Sequence, residues 1–356
     1  MTSSTRILVT GAGGFIGHHL VKFLVSRGFW VRGVDIVAPA YEPSPAHEFE
    51  LLDLRRWENC LKATAGIDEV YTLAADMGGM GFISANHARI LSNNALINLH
   101  TFEAARSNGV RRLFYASSAC IYPEYLQETP DVAGLKEQDA YPAQPQDAYG
   151  WEKLITERLA MHYRDEYGMQ TRVARFHNIF GPLGTWDGGR EKAPAAMCRK
   201  VAAAKLTRDS VVEIWGDGEQ TRSFCYIDDC VEGIFRIMNS DYSEPLNLGR
   251  DEIVTINQLV DIVAAVAGVT LIKKHVSGPQ GVRGRNSDNS LARSVLGWEP
   301  TISLEMGIRR TYPWIEAQLR ERFDADAATE LSTPAGRAVD KLLRSPSRNE
   351  IGQPTR

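Results

Sequence analysis

The sequence predicts an α/β protein: a doubly wound parallel sheet with a smaller C-terminal lobe interleaved with it. Three observations predict it. Short apolar runs alternate with helical patterns through the first half, which argues for a parallel sheet with helices on both faces. A glycine-rich turn, Gly11-Ala12-Gly13-Gly14-Phe15-Ile16-Gly17, joins the first apolar run to the first helical pattern. The alternation then breaks after about residue 177, where Gly, Pro and Trp become frequent between Gly181 and Pro194.

Arg6–Thr10 reads as a short buried strand and 15–27 as a helix. The glycines let the backbone turn tightly and approach a pyrophosphate, which would rest on the helix N-terminus. Gly11, Gly14, Phe15, Ile16 and Gly17 are therefore candidate cofactor contacts. Trp30–Asp35 is a second strand. Asp35 ends it at the spacing where an acid hydrogen-bonds an adenosine ribose. A carboxylate there repels a 2′-phosphate, so NAD is favoured over NADP. Strand, turn, helix and acid together mark the sheet as Rossmann-type. Residues 48–52 read as a third strand, with Asp53 at its carboxyl end. Asp53 either meets the adenine or is a solvated loop acid.

Further strands are expected at 69–74, 111–116 and 171–176, and helices at 86–108 and 147–167. Ligands gather at the carboxyl ends of such strands. Gly11, Asp35, residues 74–81 and residues 117–120 all fall there. Past 177, helical patterns lie at 192–205, 228–239 and 255–267, with strands at 211–215, 245–248 and 270–275. We expect an NAD-binding domain mainly over 1–177, a substrate-binding lobe mainly over 178–323, and a loose tail over 324–356. The tail has weak periodicity apart from 336–343.

The 356 residues carry a formal net charge of −4, with 44% apolar and 24% charged residues, an ordinary soluble globular composition. No run of Lys and Arg suggests nucleic-acid binding. The longest apolar stretch, Leu259 to Ile272, contains Asp261 and Gly268 and is too short to span a bilayer. The first strand begins almost at once, leaving no room for a signal peptide, so the cytoplasm is the expected compartment. Five cysteines make an odd count whose spacing suits neither a disulfide framework nor a zinc site, and no metal is expected. Cys60, Cys198, Cys225 and Cys230 read as packing residues.

The chemistry concentrates in 117–153. Tyr149 and Lys153 lie four apart, one helical turn from each other. An ammonium beside a phenol lowers the phenol's pKa, so the oxygen can take a proton near neutral pH. Ser118 can hydrogen-bond the same substrate oxygen. That is the proton-handling half of alcohol-to-ketone chemistry. Cys120 is either a small buried hydrophobe or a second base. Lys192 is either a solvated charge before a helix or a proton donor across a pocket. Lys200, Arg222 and Arg285 are either ordinary surface charges or diphosphate ligands; the two arginines sit in turn-rich contexts, and Arg makes two-pronged contacts to phosphate oxygens.

These motifs, together with Arg175-Phe176-His177-Asn178-Ile179-Phe180-Gly181-Pro182 and Arg222-Ser223-Phe224-Cys225-Tyr226-Ile227-Asp228-Asp229, resemble the extended short-chain dehydrogenase/reductase family that acts on nucleotide sugars. Within it the chain resembles the GDP-mannose 3,5-epimerase family from about residue 5 to 320. The specific strings are Ala74-Ala75-Asp76-Met77-Gly78-Gly79-Met80-Gly81-Phe82, Ser118-Ala119-Cys120-Ile121-Tyr122-Pro123-Glu124, Pro145–Gly150, the 184–196 loop and Gly278–Asp288. The resemblance implies that Cys120 and Lys192 are an acid/base pair. It implies substrate contacts at Gly78, Ser118, Ala119, Cys120, Asn178, Glu191, Lys192 and Ala193, and also at Lys200, Gln220, Arg222 and Arg285. It implies retained NAD, GDP-mannose or a close GDP-sugar as substrate, and a homodimer through 86–108 and 147–167. Nothing after about 324 matches.

Neighbouring activities differ at legible positions. Nucleotide-sugar 4,6-dehydratases carry an Asp-Glu pair where this chain has Ala119-Cys120. Simple 4-epimerases need no second base. GDP-fucose synthase, which acts on GDP-4-keto-6-deoxymannose, shares a Cys but pairs it with His and uses NADPH. A non-catalytic NAD or nucleotide-sugar sensor would have no use for Ser118, Tyr149, Lys153, Cys120 and Lys192 together.

Overall fold

The structure, a computed structural model, describes residues 5–330. The chain opens with β1 (Arg6–Thr10), α1 (Phe15–Ser26), β2 (Trp30–Asp35) and β3 (Glu48–Leu51). It continues through α2 (Trp57–Thr64), β4 (Glu69–Thr72), α3 (Met80–Ala85), α4 (His87–Ser107), β5 (Arg112–Ser118), α5 (Ala148–Tyr167) and β6 (Gln170–Phe176). Ile7, Leu8 and Val9 have no exposed surface, because β1 is covered on both faces; a continuous apolar run is what a central parallel strand requires.

The second half comprises β7 (Ile179–Phe180), α6 (Ala193–Thr207), β8 (Val211–Trp215), β9 (Thr221–Ser223), β10 (Cys225–Tyr226), α7 (Ile227–Met238) and β11 (Leu246–Leu248). After these come β12 (Ile253–Thr255), α8 (Ile256–Ala267), β13 (Ile272–Val276), β14 (Gly284–Arg285), α9 (Ser290–Leu296) and α10 (Leu304–Glu330). One seven-stranded sheet runs β11-β6-β5-β4-β1-β2-β3, every pair parallel. The chain leaves the sheet after β6 and returns with β11 to pair beside β6. α2, α4 and α5 pack on one face, and α1 and α7 on the other. The strand order reverses between β1 and β4, and a crevice at the carboxyl ends opens there. Three small ladders, β12-β9-β14, β13-β8 and β10-β7, are separate from this sheet.

Local signals explain the element ends. Asp147 caps α5, its Oδ1 accepting from Gly150 N at 2.8 Å, and Gly168 ends the helix at φ 69°. Thr255 and Gln258 form a capping box on α8. β4 stops at Thr72 rather than 74, because the next two amides donate to Thr10 Oγ1 at 3.1 and 3.2 Å instead of to a neighbouring strand. β5 runs on to Ser118, which pairs with Phe176.

The short helices α3 and α9 were not anticipated, nor was α10; α3 carries Gly81, and α10 contains Pro313. α10 also continues to Glu330, past residue 324 where a loose tail was expected to begin. The remainder of that tail, with the 336–343 pattern, lies outside the described residues. No described helix is long and apolar enough to cross a membrane.

Candidate active site

The β1–α1 turn is shaped by contacts that only glycine permits. Gly11 adopts φ +71°, and a Cβ at Gly13 would stand 2.1 Å from Val37 O. A Cβ at Gly17 would stand 2.0 Å from Gly11 O. α1 begins at Phe15 with no side-chain cap and no acid in its first turn. The amides of Phe15, Ile16 and Gly17 therefore lack an acceptor side chain, which suits a pyrophosphate. Asp35 Oδ2 accepts from Gly13 N at 3.0 Å and Oδ1 from Ile36 N at 2.6 Å, so the acid is locked beside the turn. Burial raises its pKa, opposed by these backbone bonds. The turn thus fits NAD: glycines for close approach, an uncapped helix for the pyrophosphate and a fixed acid for the ribose. Asp53 is not brought into this group. It pairs with Arg55 at 2.8 Å, and that partner lowers its pKa.

At the end of β5, Ser118 Oγ accepts from Cys120 N at 3.1 Å and caps the short 3-10 turn Ala119–Ile121. The Tyr149 hydroxyl faces the Ser118 side chain closely enough for it to oppose the rise in the phenol's pKa. Gly150 makes this approach possible, since a Cβ there would lie 2.2 Å from Cys120 O. Ser118, Cys120 and Tyr149 are thereby gathered at the mouth of the crevice. Lys153 Nζ donates to Ala116 O at 2.9 Å and lies 5.5 Å from the Tyr149 ring centre.

The expectation that Lys153 lowers the Tyr149 pKa is not met. Burial is the dominant effect and pushes the phenol up, with Cys120 and Glu152 adding to it, while the Ser118 side chain opposes. Burial also lowers Lys153, whose ammonium is held by a carbonyl rather than by the phenol oxygen. The geometry leaves the phenol oxygen for a substrate hydroxyl.

Across the crevice, Lys192 immediately precedes α6, whose first residue is Ala193. Its side chain is open to solvent, yet protein surrounds it on most sides. That enclosure is the main reason its pKa is lowered, against the pull of Cys120. The loop before it is clasped to residues 76–79. Arg190 donates to Asp76 Oδ1 and Met77 O, both at 3.2 Å, and Gly79 N donates to Arg190 O at 3.1 Å. Glu191 is anchored by Gly189 N at 2.7 Å and Arg199 at 3.0 Å. Gly78 is buried against Phe82. Two of the long strings singled out in the sequence therefore meet.

Arg222 donates only to carbonyls, those of Thr221, Gln280 and Val282. Burial and the neighbouring Arg285 push it down to about 9. Arg285 reaches Gln127 Oε1 at 2.5 Å and Cys120 Sγ at 3.2 Å. Lys200 Nζ donates to Glu213 O at 2.7 Å, and burial lowers its pKa. Among the described residues, none of Lys192, Lys200, Arg222 and Arg285 has a carboxylate partner. Lys192 and Arg222 both feel the charge of Arg285, an arrangement that suits an anion, whereas Lys200 feels Arg199 and the acids Glu213 and Glu191. Gln220 adds a buried Oε1 with no partner, and Asn178, at φ 47°, donates to Ser223 O at 2.9 Å.

Sequence reasoning missed Gln127 and the Asp76–Arg190 clasp. A glutamine in a loop carries no spacing signal, and ion pairs between distant loops leave none. Cys60, Cys198, Cys225 and Cys230 are buried free thiols, whereas Cys120 is partly exposed.

A family model, the NAD dependent epimerase/dehydratase family, matches residues 7–249. The chain is 54% identical over 318 residues to GDP-mannose 3,5-epimerase 1 of Oryza sativa subsp. japonica, spanning 89% of this chain and 83% of that one. It is 52% identical over 323 residues to GDP-mannose 3,5-epimerase of Arabidopsis thaliana, spanning 90% and 84%. Among solved structures, UDP-glucose 4-epimerase of Thermotoga maritima, crystallised with UDP-glucose, superposes with a TM-score of 0.79 at 27% identity, over 88% of this chain and all of that one.

Proposed function

The chain belongs to the NAD-dependent epimerase/dehydratase family, within its GDP-mannose 3,5-epimerase branch, and from that premise we propose that it inverts GDP-D-mannose at C3′ and C5′ to give GDP-L-galactose. Inversion at C5′ alone would give GDP-L-gulose. What supports the reading is that Cys120 and Lys192 stand close enough for their charges to act on each other, at the crevice that also holds Ser118 and Tyr149. A simple oxidoreductase would not need the extra pair.

Bound oxidised NAD supplies the hydride acceptor for C4′ and a positive charge that would favour the ionised phenol against burial. Tyr149 would then take the C4′ hydroxyl proton while Ser118 holds the same oxygen and Lys153 anchors the turn of helix that carries the phenol. The resulting ketone acidifies the hydrogens at C3′ and C5′, because the carbanion delocalises as an enolate. Cys120 Sγ removes a proton from one face and Lys192 Nζ returns one from the other, inverting the centre. A lowered ammonium pKa makes Lys192 a readier donor. Afterwards the sulfur is protonated and the amine neutral, so both must exchange with solvent before the second centre turns over. The water-accessible Lys192 suits that reset. Tyr149 finally returns its proton to O4′.

Gly11, Gly14, Phe15, Ile16, Gly17 and Asp35 would hold NAD, and Lys200, Arg222 and Arg285 the diphosphate. Exposed Ile36 and Val37, after β2, offer the adenine an apolar rest, a better candidate than Asp53. We assign the reaction to the cytoplasm, where five unpaired thiols suit a reducing compartment. We also assign a homodimer through α4 and α5, supported by exposed Leu99 (50%) and Ile155 (61%) on these packed helices. Light scattering should show a dimer, and Ile155→Glu should shift it to monomer.

The test is incubation with GDP-mannose in D₂O without added cofactor, read by proton NMR and mass spectrometry. Deuterium at C3′ and C5′ with galactose- or gulose-type signals is expected. Absence of exchange, with turnover of GDP-4-keto-6-deoxymannose by NADPH, would overturn the reading in favour of an epimerase-reductase.

A further inference from the structure

Gln127 belongs to none of the site motifs, yet it is 1% exposed and bonded to both segments that meet at Cys120. Its amide nitrogen donates to Tyr122 O at 3.1 Å and Pro123 O at 3.0 Å, on the turn that leaves Cys120. Its Oε1 accepts from Arg285 Nε at 2.5 Å. Its backbone carbonyl accepts from Arg283 N at 2.9 Å and Gly284 N at 3.1 Å, pinning the strand that carries Arg285. Arg285 Nη1 then closes the ring by donating to Cys120 Sγ at 3.2 Å.

We propose that Gln127 is a positioning residue: acting through Arg285, it fixes where the sulfur of the base stands against the sugar. The inference rests on the reading of Cys120 as the base. Arginine has many rotamers, and nothing but Gln127 Oε1 selects this one at Nε, since the guanidinium has no carboxylate partner among the described residues. A guanidinium N–H donated to sulfur also fixes the position from which the sulfur can reach a proton. With Nε on Gln127 and Nη1 on Cys120, Nη2 remains for the diphosphate. One guanidinium would thus connect substrate binding to base placement. Tyr149, Ser118 and Lys153 lie outside this ring, so C4′ oxidation should not depend on it.

The experiment uses the full chain with GDP-mannose at saturating concentration. Gln127→Met keeps the length and loses the acceptor. It should slow deuterium entry at C3′ and C5′ by about 10-fold or more, the effect of a misplaced reacting atom, while C4′ oxidation stays within about 2-fold. Alkylation of Cys120 by iodoacetamide, measured without substrate, should slow about 3-fold or more. Gln127→Glu, which retains an acceptor for Nε, should recover most of the exchange. Equal loss of exchange and C4′ oxidation, unchanged exchange, or no recovery with Glu would each overturn the proposal. If Gln127→Met does not fold, Gln127→Glu alone decides, since loss of exchange there assigns the residue to holding the turn instead. No deuterium entry in the unmodified protein would instead sink the functional reading, leaving the alkylation rates as the measure of the Gln127–Arg285–Cys120 ring.

Discussion

Gly79→Ala separates the two halves of the reaction. Gly79 has φ −70° and ψ 175°, angles that alanine adopts freely, so the glycine is needed for space and not for conformation. An added Cβ would stand 2.6 Å from Glu191 O, about 0.8 Å inside the 3.4 Å at which ordinary contact begins. That oxygen belongs to the peptide bond linking Glu191 to Lys192. Relief must push the Lys192 loop outward by most of an ångström, against the Gly79–Arg190 hydrogen bond. Misplacement of a reacting group by about 1 Å costs on the order of 10²-fold in rate. Deuterium exchange should therefore survive better than inversion, because Cys120 is not displaced, and C4′ oxidation should change little. The overpacking should cost no more than about 2 kcal/mol of stability. Gly81→Ala is the matched control: a Cβ there meets nothing within 4 Å. Product NMR, the C4′ oxidation rate and a urea melt on both variants decide it. Inversion by Gly79→Ala at the Gly81→Ala rate would refute the claim that residues 76–79 hold Lys192 in place.

Cys120→Ala should abolish inversion and exchange but permit slow C4′ oxidation, whereas Tyr149→Phe should stop all three, each loss being about 10²-fold or greater; full turnover by either variant removes that residue from the mechanism. Glu157 forms a buried pair with Arg175, Oε2 to Nη2 at 2.7 Å, and Glu157→Leu should cost about 3–5 kcal/mol in a urea melt by stranding the guanidinium; a cost below about 1 kcal/mol would contradict this. His177 is fully buried, and burial lowers its pKa from 6.5 to about 3. The unfolded chain binds a proton there below 6.5 and the native chain does not until about 3, so stability falls as pH drops through that window, by up to about 1.4 kcal/mol per unit. His177→Gln should flatten this part of the stability–pH curve, and an unaltered slope would show that the histidine does not contribute.

Much of this molecule was legible because its signals are local. The strand–glycine–helix–acid run placed β1, α1 and β2 within a residue of where they lie, since each is specified by its own apolar period and its own turn. Tyr149 and Lys153 lie one turn apart on α5, as their spacing predicted, for the same reason. What escaped was settled by tertiary contacts. Lys153 was expected to tune the phenol, but its ammonium went to Ala116 O, and burial won. Asp53 was claimed by Arg55, two residues away. α10 was hidden by Pro313 and its charged surface, and its packing against α6 and α8 could not be seen in its own sequence. Gln127 matters only through partners at Tyr122 and Arg285, which no spacing rule connects.

Three of the cations without acidic partners have a thermodynamic consequence for the fold itself. Lys192, Arg222 and Arg285 come from separate stretches of the second half, and folding brings Lys192 and Arg222 within reach of the Arg285 charge. The protein thus pays for its affinity in advance, as electrostatic tension built into the lobe. An anion that binds only the native form releases that tension and adds about 2.7 kcal/mol at one hundred times its dissociation constant. GDP alone should raise the melting temperature, and added salt should raise it too by screening the repulsion. The polyanion would then act as a structural member of the lobe as well as cargo, making nucleotide supply a determinant of how long the protein survives.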